Sequence, residues 1–129
     1  MELLKVILVF GLIVIAFDGI WATIAKAGGY TYANGIWCSW LIYILAGVVA
    51  YQNENPLYGL ISGMFVAGID ATIGWWVSSV IGPGRIPDKI SQKDRPKVIR
   101  NAILTVMIHG AMLGLLGAFL KSKFDWLIG

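Results

Sequence analysis

The sequence is poor in charge, in cysteine and in histidine. Charged residues make up 13% of its 129 residues, whereas a soluble domain carries about a quarter. A lone cysteine, Cys38, excludes an intrachain disulfide and is expected to be a small buried residue. Because His109 is the only histidine and Met107 and Met112 share its predicted helix, no second haem ligand is in place, and no cofactor is expected. The mean hydropathy is +0.78, and an integral membrane protein is predicted.

Long apolar runs are what the sequence holds instead. They predict membrane spans at residues 3–25, 31–51, 57–81 and 98–120, each close to the ~20 residues that cross the hydrocarbon core. The first run is not interpreted as a cleaved signal peptide, because Glu2 and Asp18 interrupt that pattern. The predicted fold is an all-α bundle of four transmembrane helices in one domain, 1–129. Loose likeness between segments 16–21 and 68–75 raises the hypothesis of two duplicated helical hairpins.

Lysine and arginine are unevenly divided between the two ends of these spans. One side carries Lys5, Lys121 and Lys123, and the other carries Lys26, Arg85, Lys89, Lys93, Arg95, Lys97 and Arg100. The positive-inside rule assigns the second side to the cytoplasm. We therefore expect a plasma or inner membrane protein with both termini outside and loops 26–30 and 82–97 in the cytoplasm. Loop 82–97 is expected to contact anionic lipids, and no nucleic-acid partner is expected.

Small residues recur at a spacing of four in the third and fourth spans. Because apolar helices gain no hydrophobic advantage from contact in lipid, such stripes predict close backbone packing. A stripe that is not used within the chain could contact a second copy of the chain, as a homo-oligomer, or another membrane protein, so both kinds of partner remain open. Val66 falls outside the stripe and is predicted to face lipid. The stripes consist of Gly59, Gly63, Ala67 and Ala71, and of Gly110, Gly114 and Ala118.

Two aspartates within the spans are the strongest functional signal. Asp18 lies in the first span and Asp70 in the third, and a helical wheel places each on its small-residue face. A carboxylate at that depth must be protonated, paired, or turned toward water or a partner. His109 is predicted to be a third buried titratable group at the level of Asp70. As a structural alternative, the acids would satisfy each other by sharing one proton, or hydroxyl or amide side chains would satisfy them, drawn from Thr23, Asn34, Ser39, Ser62 and Thr72.

Two functions remain open from these residues. The first is a non-catalytic packing, assembly or accessory subunit of a membrane complex. The alternative is a small proton- or cation-linked transporter or channel that uses Asp18 and Asp70. In the alternative, an organic cation would be held by tryptophans through cation–π attraction; these are Trp21, Trp37, Trp40 and Trp75. Four spans with an acid in the first resemble small multidrug exporters in outline, and no further motif extends that resemblance. Because the sequence holds no metal constellation or nucleophile–base pair, an enzyme is not expected.

Overall fold

The computed structural model describes residues 2–51, 55–82 and 91–128 of the chain. The regular elements of these residues are helical: α1 (Leu3–Gly28), a 3₁₀ turn (Tyr32–Gly35), α2 (Ile36–Ala50), α3 (Leu57–Ile69), a π-helical turn (Asp70–Gly74), α4 (Trp75–Ile81) and α5 (Arg95–Ile128). They form four helical segments long and apolar enough to cross a membrane, with α3, the π-helical turn and α4 making one of them. The prediction of an all-α protein with four such helices is confirmed.

The helices extend beyond the predicted spans at several ends. α1 continues to Gly28 and ends where Gly29 adopts a φ of 72° and donates its N–H to the Ala25 carbonyl. This left-handed conformation favours glycine at a helix end. α5 begins at Arg95, inside the predicted loop 82–97, and continues past residue 120 to Ile128. Apolar runs mark where lipid contact ends, whereas polar helix formers such as Lys121 can continue the helix. The central part of that loop, with Arg85 and Lys89, lies outside the described residues.

The backbones of α3 and α5 touch at their glycines. A Cβ atom added to Gly63 would lie 2.8 Å from Gly114 Cα and would overlap the Gly110 carbonyl oxygen. A Cβ atom on Gly47 of α2 would overlap the Gly114 carbonyl in the same way. Ala67 and Ala118 meet the glycines opposite them. The structure thus brings most of the two small stripes together inside one chain.

The predicted environments of Val66 and Cys38 are wrong. Val66 is 0% exposed, not lipid-facing, and packs in a cluster with Val14 and Tyr43. The helix α3 contacts α1 and α2 as well as α5, so burial is not confined to its glycine face. Cys38 is exposed, not buried, because it lies on the outer side of α2 next to the exposed Trp37. Ala71 lies in a second buried cluster with Ala22 and Trp75.

Candidate functional site

Each of the two aspartates is buried and paired with a tyrosine. Asp18 is 1% exposed and Asp70 is 3% exposed. The Tyr32 hydroxyl donates a hydrogen bond to Asp18 Oδ1, and the Tyr43 hydroxyl donates one to Asp70 Oδ2. A neutral hydroxyl satisfies a lone pair of a carboxylate without neutralising its charge.

The two carboxyl groups meet at Gly74. A Cβ atom at this position would overlap Asp18 Oδ2 and would lie 3.2 Å from Asp70 Oδ1. Glycine is therefore required here by space and not by backbone conformation. Gly74 ends the π-helical turn that begins at Asp70, and the Trp75 N–H donates to the Asp70 carbonyl five residues earlier. Single π-helical turns inside α-helices occur frequently at functional sites.

A cavity of about 120 Å³ reaches Asp70 from the side of α2 and α5. Asp70 provides its acidic group, and Ser39, Thr105 and His109 provide its other polar side chains. Its walls are otherwise dominated by aromatic rings, contributed by α1, the 3₁₀ turn, α2 and α4: Phe17, Trp21, Tyr32, Trp40, Tyr43 and Trp75. The cavity wall is thus mostly aromatic and includes one acidic residue, Asp70.

The 3₁₀ turn positions Tyr32 between this cavity and Asp18. The Trp21 indole N–H donates to the Tyr32 carbonyl oxygen at 2.8 Å. A Cβ atom on Gly35 would lie 2.6 Å from the same indole nitrogen, so the turn lies directly against the Trp21 ring. Tyr32 is 8% exposed. The tryptophan and the glycine together hold the tyrosine ring in the cavity wall.

His109 and Trp37 do not lie in the environments predicted for them. His109 is exposed, not buried; its Nδ1–H donates to the Thr105 carbonyl of its own helix at 2.7 Å. Its ring stacks on Trp40 with centroids 6.4 Å apart, so both residues line the cavity. Trp37 is 70% exposed and packs edge-on against Trp40 with centroids 5.0 Å apart, outside the cavity wall. α2 therefore turns one of its two predicted site tryptophans inward.

Tyrosines bind the acids, and sequence reasoning missed them. Neither Tyr32 nor Tyr43 is among the residues that the sequence predicts for the site. Three of the predicted hydroxyl partners instead donate to carbonyls of their own helices: Thr23 to Gly19, Ser62 to Gly59 and Thr72 to Gly68. The sequence feature that could have identified Tyr43 is its position in the middle of an apolar span, where a tyrosine hydroxyl needs a buried hydrogen-bond partner.

The sequence around the site contains no basic side chain over long stretches. Lysine and arginine are absent from residues 6–25, 27–84 and 101–120. In the described part of the chain, no three His, Cys, Asp or Glu side chains gather to hold a metal ion. The chemistry that the site offers is therefore proton exchange at two neighbouring acids and attraction of a cation by aromatic faces and a carboxylate.

Comparison of the chain with protein-family models, with curated proteins and with solved structures finds no match. The assignment of a role depends on this site alone.

Proposed function

We propose that the protein is an integral membrane transporter that binds a small organic cation between its helices and links that binding to protonation of Asp18 and Asp70. The observation that carries the proposal is the cavity of about 120 Å³ whose wall combines aromatic rings with the Asp70 carboxyl group. An aromatic face attracts a cation by roughly 0.5–2 kcal/mol, the more so when both are desolvated. The carboxylate supplies the charge that rings alone lack.

The outer surface of the bundle supports membrane insertion. Large apolar side chains are exposed along all four spans, as lipid contact requires; examples are Leu12, Ile20, Leu41, Phe65, Ile73, Ile108 and Phe119. The unequal division of Lys and Arg supports an orientation with both termini outside. The exposed basic residues Lys93, Lys97 and Arg100 near the start of α5 support contact with anionic lipids.

Duplicated hairpins are not part of the proposal. A repeat of the first hairpin would supply the partner of Asp70 from the fourth span. Instead, Tyr32 pairs with Asp18 and Tyr43 pairs with Asp70. Both tyrosines lie in the second helical segment, Tyr32–Ala50, which joins the 3₁₀ turn and α2.

The size of the cavity limits the cation. Pockets for drug-sized ligands occupy roughly 300–1,000 Å³, and this cavity measures about 120 Å³. A compact ammonium head group fits such a space, whereas a multi-ring dye does not. Desolvation favours a weakly hydrated quaternary ammonium over Na⁺ or Mg²⁺, because a hard metal ion would need oxygen ligands in place of its water.

An accessory subunit is the second candidate, and one observation favours it. An apolar groove of about 390 Å³ runs between α3 and α5 on the outside of the bundle and is lined by Leu60, Met64, Leu104, Met107, Ile108, Ala111, Met112 and Leu115. Flexible methionines suit contact with varied apolar surfaces. A helix of a larger membrane complex would be the occupant in this case.

Binding and flux of tetramethylammonium test the first proposal. We expect purified protein to show saturable quenching or enhancement of tryptophan fluorescence on titration, because Trp21, Trp40 and Trp75 line the cavity. Liposomes containing the protein should accumulate the cation when a proton gradient is imposed. Trp76→Phe is the control, since Trp76 is 68% exposed and lies outside the cavity wall, so this change should leave affinity unchanged. Protein that is folded yet neither binds nor moves the cation between about pH 5 and 8 would contradict the transport proposal. Co-purification of a stoichiometric membrane partner would then support the accessory role.

A further inference from the structure

The two acids stand in different relations to the cavity. Asp70 lines the wall directly. Asp18 is buried behind Tyr32, whose ring lines the same wall and whose hydroxyl donates to Asp18 Oδ1. A ligand in the cavity can therefore touch the carboxyl group of Asp70, while it reaches that of Asp18 through the tyrosine hydroxyl.

The acids are nevertheless close enough to influence each other. Asp18 Oδ2 and Asp70 Oδ1 both border the position that a Gly74 Cβ would occupy. Two carboxyl groups that border one position can hold a single proton between them, because two negative charges so close repel each other. A cation beside Asp70 compensates one negative charge and makes ionisation of the other acid easier.

We propose that the two acids divide the work: Asp70 is the counter-ion of the bound cation, and Asp18 carries the proton that the cation displaces, with the Tyr32 hydroxyl passing that proton to the cavity. The inference rests on the proposed function and deepens it. When Asp18 is protonated, its O–H donates to Tyr32 Oη, and the tyrosine O–H is free to point at cavity water. On release, Asp18 gives its proton to Tyr32 Oη as the tyrosine gives its own to that water. The tyrosine then donates its new O–H to the Asp18 carboxylate across the Tyr32 Oη–Asp18 Oδ1 contact.

Other titratable groups surround this path. Among the described residues, Tyr32 faces Asp18 from the 3₁₀ turn and Asp70 approaches it at Gly74. Tyr43 from α2 and His109 from α5 lie on the cavity wall beyond them. His109→Gln is therefore included in the test, so that a change in pH dependence due to the histidine is recognised.

The test measures affinity and proton release separately with tetramethylammonium as the probe. Wild-type protein and the variants Asp70→Asn, Asp18→Asn and Tyr32→Phe are titrated in detergent, with proton release followed by a pH indicator in weak buffer. We expect Asp70→Asn to lose about tenfold or more in affinity at every pH, equivalent to about 1.4 kcal/mol. Asp18→Asn should bind the cation with an affinity independent of pH and release no proton. In wild type and in His109→Gln, binding should strengthen as pH rises and protons should be released.

Tyr32→Phe keeps both acids and the ring in the wall, and it tests the path itself. Stopped-flow mixing should show slower proton release than in wild type, while Tyr30→Phe should match wild type, because Tyr30 is 55% exposed and outside the cavity wall. Equal loss of affinity in Asp18→Asn and Asp70→Asn, or undiminished proton release in Asp18→Asn, would overturn the division of roles while leaving cation binding intact. Absence of binding in wild type would instead remove the proposed function and this inference with it.

Discussion

The contact between the α3 and α5 backbones makes a quantitative prediction at Gly63. In Gly63→Ala the new Cβ atom would lie 2.8 Å from Gly114 Cα and 2.9 Å from Gly114 N, whereas carbon atoms at optimal separation are about 3.5–4.0 Å apart. The new Cβ atom would also overlap the Gly110 carbonyl oxygen, so the helices must separate locally by about 1 Å or more. A gap of about 1 Å already forfeits roughly half of each pairwise attraction. Overpacking of this kind destabilises by about 1–3 kcal/mol.

Gly68→Ala is the matched control for this change. Gly68 lies in the same helix, and its Cβ would meet the flexible end of Met107 at 3.5 Å, an ordinary contact distance. Both substitutions replace a glycine in α3, so the gain in helix propensity of about 0.8–1.0 kcal/mol cancels between them. The difference in free energy of unfolding, measured by denaturant titration in mixed micelles with circular dichroism, should be about 1–3 kcal/mol. Equal stabilities of the two variants would refute the packing described here.

Two further predictions concern orientation and the second acid–tyrosine pair. Ser91→Cys in a Cys38→Ser background should react with an impermeant maleimide in inverted vesicles and not in intact cells, because the basic side is assigned to the cytoplasm; labelling from outside intact cells would reverse the orientation. Tyr43→Phe removes the hydroxyl that donates to Asp70 Oδ2 and should lower the free energy of unfolding by about 1–3 kcal/mol. Tyr30→Phe, at an exposed position, should change it by less than about 0.5 kcal/mol, and an equal effect of the two would contradict the role given to the Tyr43 hydroxyl.

The length of the apolar runs and the spacing of the small residues were sufficient to predict four long helices, because both are patterns within a single stretch of sequence. The same periodicity placed Gly63 opposite a neighbouring helix, where the structure has Gly114. The prediction from this periodicity was wrong for Val66, because a helical wheel assumes that a helix has one packed face and one lipid-facing face. α3 contacts three other helices, and no pattern within α3 reports how many neighbours it has.

The site was predictable in its acids and not in their partners. Asp18 and Asp70 are conspicuous because a carboxylate in an apolar run is costly. Their tyrosines lie 14 and 27 residues away along the chain, and only the fold brings them together. The π-helical turn at Asp70–Gly74 likewise shifts the face of the third span partway along, which an assumption of 100° per residue cannot capture. The sequence could not distinguish the roles of Trp37 and Trp40, because both are tryptophans in the same span. Which of them faces the cavity depends on how α2 is oriented about its own axis within the bundle.

The helices meet backbone to backbone in one half of the bundle and around large side chains in the other. Gly47, Gly63, Gly114 and Gly117 meet backbone atoms of neighbouring helices, so the seam near these residues contains no rotamers that could rearrange. The opposite half contains the cavity, its large rings and the π-helical turn. A rocking motion between α5 and the rest of the bundle would therefore pivot at the glycine seam and widen the half that contains the 3₁₀ turn. Opening the bundle at the glycine seam would instead require separating backbones that are in direct contact. The seam would therefore oppose motion there as well as pack the helices together.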